Sequence, residues 1–273
     1  MSSANKKREQ AQKARLEREK AEQAARERSQ RLKLLGGAVV LVLVIVGVVL
    51  AAGVFKDTSG GSKDTKVQVD GNEANVKGVA ETNELLKGVP QNGTVLGKPD
   101  APVTIIEFAD MKCPACQQYE VTHQNKVVDE LVKTGKANLN LQLINIIDPN
   151  AGTTDGADAR RAALNLVAKN KFFNFVHTSY YNQGLENDTW ATEKRLKEIG
   201  AGAPGVGAAA INIRETPAVR ELQAKADKLS QDLKVSGTPA FYVQPRGTRE
   251  YTPVQDPING LTEAVDAAAK KAK

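Results

Sequence analysis

The sequence predicts an α/β fold with an inserted helical subdomain, preceded by one transmembrane helix. Three observations predict it. Apolar periodicity runs strand, helix, strand, then a long helical block, then strand, strand, helix. The only two cysteines, Cys113 and Cys116, stand in one Cys-Pro-Ala-Cys motif shortly after the first strand. Residues 34–55 form 22 consecutive positions without a charge, between Lys33 and Lys56.

At the helical rise that uncharged run spans roughly 33 Å, enough to cross a bilayer. The preceding tail, residues 1–33, carries eleven Lys/Arg and five Asp/Glu. The positive-inside bias therefore puts the tail in the cytoplasm and the rest of the chain outside it, at the cell membrane. A cleaved signal peptide is the competing reading, with Val49-Leu50-Ala51 as its cleavage site. Against it stand the length of the basic region and of the apolar run. No cysteine directly follows the run, so a lipoprotein anchor is excluded. The tail's charge, 11 − 5 = +6, equals that of the whole chain, leaving the remainder balanced at 27 basic and 27 acidic residues. Nucleic-acid binding by the outer part thus has no electrostatic support. The tail shows pairs such as Glu9/Lys13 and Glu22/Arg26 but no apolar stripe, so it reads as a solvated segment drawn to anionic lipid heads.

Residues 56–83, with Ser-Gly-Gly-Ser at 59–62 and no periodic apolar face, read as a flexible linker. From 84 to 273 there is enough chain for one domain with its own core. Residues 103–108 (Val-Thr-Ile-Ile-Glu-Phe) are a β-branched run and predict a buried strand. A helix follows from Pro114 to about Thr134, stopped by Gly135. Leu139, Leu141 and Leu143 alternate in the next strand, completing a β-α-β unit. The helical insert covers about 153–235. Within it, 158–167 is Ala/Leu-rich, an aromatic stretch runs from Phe172 to Trp190, and 189–199 is helical. A third helix starts at Thr216-Pro217, a capping residue followed by proline. Residues 240–243 and 248–252 predict a strand pair, and an Ala-rich helix begins near Leu261. The aromatic stretch reads as core of the insert or as an apolar substrate groove.

Chemistry concentrates at the motif. Two thiols at this spacing close into a small disulfide. With Pro114 at the first helical position, Cys113 sits at a helix N-terminus, where free N–H groups and the helix dipole stabilise its thiolate. A zinc site needs four ligands, and there is no second cysteine pair; His123 and His177 are the only histidines. No metal or other cofactor is called for. Glu107 is an odd carboxylate in an apolar strand: buried beneath the helix it can exchange the proton of Cys116, while on an exposed edge it does nothing. Gly237-Thr238-Pro239 precedes the 240–243 strand. Proline there is either a strand punctuator or, if cis, a turn that leaves the Thr238 backbone free to pair with an extended substrate. Gly205-Val206-Gly207 follows a helix rather than a strand and reads as a loop, not a nucleotide fingerprint.

The run from Pro102 to Cys116, the helical insert and the distant Gly237-Thr238-Pro239 together resemble the DsbA-like branch of the thioredoxin superfamily, in particular membrane-tethered, Gram-positive-type versions. The resemblance covers residues 84–273 and implies a thioredoxin-like fold. It implies Cys113 as the exposed nucleophile, Cys116 as the buried resolving thiol, Glu107 as the buried acid and Pro239 as a cis-proline beside Thr238. It further implies a protein disulfide oxidase acting on unfolded secreted or envelope proteins with free thiols, reoxidised by a membrane redox partner. Strong oxidases of this branch carry His where Ala115 stands, so Cys113 is expected to be less acidic and the disulfide less oxidising, with Pro114 and Ala115 modulating it. Lys112 either compensates electrostatically or is plain surface. The rival readings are an envelope reductase or isomerase, and a tethered binding or chaperone module.

Overall fold

The computed structural model of the protein describes residues 62–273. The expected cytoplasmic tail (1–33), membrane span (34–55) and first residues of the linker (56–61) lie outside the described residues. Among the described residues no helix is long and apolar enough to cross a membrane.

The linker reading gives way from residue 65 onward. Strands β1 (Thr65–Val69) and β2 (Asn72–Val76) form an antiparallel hairpin, and helix α1 (Val79–Leu86) follows it. The two-residue turn is Asp70-Gly71, both at positive φ, a geometry the hairpin requires and this dipeptide supplies. Only Val69 and Val76 are buried, which leaves too little apolar pattern in the sequence to betray the strands.

Among the described residues the central sheet has six strands, in the spatial order 91–92, 95–96, 137–143, 103–109, 240–245 and 252–254. Two unforeseen two-residue strands, β3 (Gln91–Asn92) and β4 (Val95–Leu96), edge it. Strand β5 (Val103–Ala109) is its axis and is buried almost throughout. Helix α2 (Pro114–Thr122) leaves the cysteine motif, and β6 (Ala137–Leu143) returns parallel to β5, pairing Glu107 with Leu141. The single long helix expected over 114–134 is instead interrupted at His123. Short α3 (Gln124–Val127) and a π-helical turn (Val128–Val132) complete it.

The insert holds α4 (Ile147–Ala151), α5 (Asp155–Leu164), α6 (Phe172–Tyr181), α7 (Glu193–Gly202) and α8 (Pro217–Asp232). Thr192 and Thr216 cap α7 and α8 through their hydroxyls, as their positions favour. Phe172, Phe173, Phe175 and Tyr180 are buried, so the aromatic stretch is core. The chain closes with β7 (Ala240–Pro245), antiparallel to β5, then β8 (Thr252–Val254) and α9 (Leu261–Ala269). The last strand begins where the 248–252 expectation ended, because Thr248 is held in the turn by Pro245 and Gln244.

The two faces of β5 divide the core. Val103, Ile105 and Ala109 face the layer that contains both cysteines, Tyr119 and the insert aromatics. Ile106 and Phe108 face Ala226 of α8, with Leu229, Leu233 and Tyr242 packed around them. Glu107 alternates with Ile106 and Phe108 and so falls on the cysteine side.

The β1–β2 hairpin docks on α7, where Gly202 lets the fully buried Val76 approach. A Cβ at Gly202 would meet Val76 Cγ1 at 2.6 Å. Gly202→Ala is therefore expected to cost about 1–3 kcal/mol, read by denaturant unfolding, and Val76→Ala in the same chain to recover part of it. Equal stability of Gly202→Ala and wild type would show that the hairpin yields freely.

Candidate active site

Strand β5 ends by delivering Asp110 to a turn that fixes everything after it. Asp110 Oδ1 accepts from Lys112 N (2.9 Å), while Oδ2 accepts from Ile146 N (2.7 Å) and Ile147 N (2.9 Å). One carboxylate thus joins the turn before the cysteines to the chain leaving β6. Burial raises its pKa, and the three N–H donors oppose that.

Cys113 is the N-cap of α2, with extended backbone angles, and its Sγ accepts from Cys116 N at 3.3 Å. Proline at the next position loses nothing there, since that N–H has no helical partner. The Thr238–Pro239 peptide is cis, and the Cys113 thiol donates to Thr238 O at 3.2 Å. The two cysteines are free thiols. Their acidities diverge. The hydrogen bond to the Cys116 thiol, helped by Thr238 and the backbone N–H groups of Cys116 and Ala115, pulls Cys113 down to about 7 against the effect of burial. Burial, with the neighbouring Cys113, pushes Cys116 well above the usual thiol range. One sulfur is readied as a thiolate and the other is held as a thiol.

Cys113 is not exposed as expected. Only 4% of it is accessible, because the Thr238 carbonyl and the first turn of α2 cover the sulfur. Pro114 and Ala115 form the exposed tip of the motif. The Thr238 hydroxyl is buried, and among the described residues it has no hydrogen-bond partner.

Glu107 is fully buried, as the non-edge reading required. Burial, then the neighbouring Glu120, raises its pKa well above the carboxylate range, while the Gln124 amide counters weakly. The sequence reading missed its company. Gln124 Nε2 donates to Glu107 Oε2 (3.1 Å) and weakly to Glu120 Oε1 (3.4 Å), and Glu120 Oε2 lies 3.1 Å from His177 Nδ1. Burial lifts Glu120 to about 8 and drops His177 to about 4, so the imidazole is neutral and the contact is a hydrogen bond rather than an ion pair. Glu120 follows Cys116 by four residues, one helical turn, and that spacing was the available signal.

Lys112 is neither surface nor a free charge beside the thiol. It is 0% accessible, and its Nζ donates to Asp155 (2.6 Å), Thr153 (2.8 Å) and Asp188 O (3.1 Å), with Asp148 at 3.7 Å. Its carbonyl accepts from Gln183, so this one residue ties the motif to four segments of the insert. Among the described residues no cluster of His, Cys, Asp and Glu could hold a metal ion.

Comparison with known proteins adds matches of sequence and of fold. A thioredoxin family model matches residues 90–257. A Bacillus cereus protein named "Probable disulfide bond formation protein D" is 34% identical over 151 residues, 54% of this chain and 68% of that one. Disulfide bond formation protein D of Bacillus subtilis is 25% identical over 173 residues, 62% of this chain and 76% of that one. Among solved structures, oxidised BdbD from Bacillus subtilis superposes with a TM-score of 0.53 at 19% identity, covering 67% of this chain and 97% of that one. A thioredoxin-like oxidoreductase from Silicibacter pomeroyi gives 0.51 at 26%, covering 70% and 98%.

Lys112→Met leaves Asp155 and Asp148 buried without their cation and is expected to lower stability by roughly 3–5 kcal/mol; Asp155→Asn in that background should return part of it. Glu120 yields a pH prediction. Its folded-state pKa of about 8 lies above its ordinary 4.5, so the folded chain holds a proton that the unfolded chain releases. The stability it contributes is full below about 4.5 and lost as pH rises through about 8. Urea unfolding across that window should show a shallower decline in Glu120→Gln than in wild type, by a few kcal/mol over the whole range.

Proposed function

The chain belongs to the thioredoxin family and is a DsbA-like thiol–disulfide oxidoreductase, and from that premise we propose that it oxidises dithiols of secreted or cell-envelope proteins outside the cytoplasmic membrane through Cys113 and Cys116. One observation carries the assignment of the sulfurs: Cys113 lies near 7 at a helix N-terminus while Cys116, one turn on, stays protonated.

In the oxidising direction a substrate thiolate attacks Cys113 Sγ of the disulfide. The Cys113–Cys116 bond breaks, a mixed disulfide forms, and Cys116 leaves as a thiolate that takes a proton from Glu107. The substrate's second thiolate then attacks its own bridged sulfur, and Cys113 departs as a thiolate. The substrate loses two electrons, and the pair ends reduced, Cys116 as a thiol and Cys113 as a thiolate that takes its proton from solvent. Cys113 is the better leaving group, since a lower pKa favours departure. The Thr238 backbone beside the cis bond is the edge on which an extended substrate would align. Reoxidation needs a partner that removes two electrons, and the uncharged 34–55 span supports placing that partner in the same membrane.

A second reading, a reductase or isomerase, has its own support. Cys113 near 7 matches the about 7 of thioredoxin rather than the about 3.5 of DsbA. Ala115 has no side-chain donor to push it lower. A tethered binding module, in which the disulfide is a staple, is the third.

Cys116→Ser separates the enzyme from the binding module. Expressed in cells, it should accumulate mixed disulfides through Cys113 with extracytoplasmic proteins, and a chain that traps none refutes the exchange mechanism. Ala115→His should lower the Cys113 pKa and raise the reduction potential by about 30 mV per tenfold shift in the exchange equilibrium with glutathione. An unmoved potential would show that the tip of the motif does not set the redox bias.

A further inference from the structure

We propose that His177 is a positioning residue that makes Glu120 the first of the two buried carboxyls to ionise, so that Glu107 keeps its proton for Cys116. The inference deepens the exchange reading above and rests on Glu107 serving the buried thiol.

The geometry is a short chain across four elements. Glu107 comes from β5, Gln124 from α3, Glu120 from α2 and His177 from α6. All four are buried. The single Nε2 amide of Gln124 faces both carboxyls, and its Oε1 has no partner among the described residues. Two buried carboxyls sharing one amide cannot both carry charge cheaply, so their protons come off in sequence. The surroundings decide the order. Glu120 has a second contact, His177 Nδ1, whereas Glu107 Oε1 has none among the described residues.

The tautomer of His177 follows from its other nitrogen. Nε2 is buried without a partner among the described residues, and a buried N–H with no acceptor costs more than a bare lone pair. The proton therefore sits on Nδ1 and is donated to Glu120 Oε2. A donor that persists when Glu120 loses its proton stabilises the Glu120 carboxylate, and the charged Glu120 then opposes ionisation of Glu107. The ring's place is fixed by an edge-on contact with Tyr181, with ring centroids 5.3 Å apart.

The charged and titratable groups around the chain are consistent with this order. Glu81 of α1 acts on His177 and Tyr181, and it favours charge on the imidazole too weakly to overcome burial. Tyr119, Tyr180 and Tyr181 are all raised above their ordinary range, so none supplies a charge near neutrality. His123 stacks on Tyr119 at the margin of the cluster, and Cys116 is held as a thiol. Asp110 is engaged by three N–H donors at the head of the turn. Of the groups that line the pocket, Gln124 donates more closely to Glu107, and His177 is the one that favours charge on Glu120.

The test uses the full-length protein labelled with ¹³C at glutamate carboxyls, the buried pair being assigned with Glu107→Gln and Glu120→Gln. His177→Phe removes the donor, and the Glu107 midpoint should fall by about half a pH unit or more while that of Glu120 rises. His177→Asn places an amide N–H where Nδ1–H sits and should restore the wild-type order. Adding His177→Phe to Glu120→Gln should move Glu107 no further. An unmoved Glu107 midpoint in His177→Phe, or an equal further shift in the Glu120→Gln background, overturns the proposal. Thermal melts of both His177 variants separate misfolding from titration, and Asn keeps the test open if Phe does not fold. These titrations need no exchange activity. A wild-type chain that exchanges no disulfides would sink the functional reading while leaving the carboxyl order to be judged by its own midpoints.

Discussion

The hydrogen bond from the Cys116 backbone N–H to Cys113 Sγ, at the first turn of α2, is the contact around which the site is arranged. It exists only if Cys113 caps the helix, and that requires the chain to leave β5, turn within four residues and enter α2 at a fixed angle. Asp110 enforces the turn with three accepted N–H bonds, and Pro114 sets the helix's first φ. Parallel β6 then brings Ile146 and Ile147 back to the same carboxylate, so sheet register and site geometry are one constraint. From the opposite edge of β5, β7 presents the cis Thr238–Pro239 turn to the same sulfur. The covered Cys113 is a consequence of this convergence. The sulfur is gripped from both sides, by the first turn of α2 and by the Thr238 carbonyl.

Beneath the sulfurs the protein tolerates two buried acids and an imidazole whose Nε2 has no partner among the described residues, a costly arrangement by any polar-burial measure. Its cost is contained by keeping the cluster close to neutral. Burial raises both glutamates and lowers His177, so each group is pushed toward its uncharged form. A proton passed from a buried carboxyl to a neighbouring thiolate moves the negative charge beneath the helix without changing the net charge of the cluster.

The architecture was largely legible in the sequence, for identifiable reasons. Strand β5, helix α8 with its Thr216 cap and Pro217, and the cysteine motif each combine a periodic pattern with a distinct punctuating residue. Elements whose support is mostly tertiary were not. The β1–β2 hairpin buries one side chain per strand and depends on α7 for its footing, and the break at His123 has no proline or glycine to announce it. At the site, Cys113, Cys116 and Glu107 could be placed because each is anomalous in its own segment. Glu120, Gln124 and His177 could not. A glutamate or glutamine in a helix is ordinary until a second helix covers it, and here α6 provides that cover from more than fifty residues away. Lys112 was misjudged for the same reason: its acceptors lie on loops of the insert whose approach no local pattern encodes.

The buried lysine also bears on what tunes the nucleophile. A cation one residue before a thiolate would ordinarily be counted among its stabilisers. Here the ammonium is paired at 2.6 Å with Asp155 and flanked at 3.7 Å by Asp148, so its field at Cys113 is met by two opposing charges. What remains to hold the thiolate is short-range: the Cys116 thiol and the α2 N–H groups. Dipoles of this kind lower a thiol's pKa without the reach of a full charge, which accounts for a Cys113 near 7 rather than far below it. The Lys112 pair therefore works as architecture, fastening the insert to the motif.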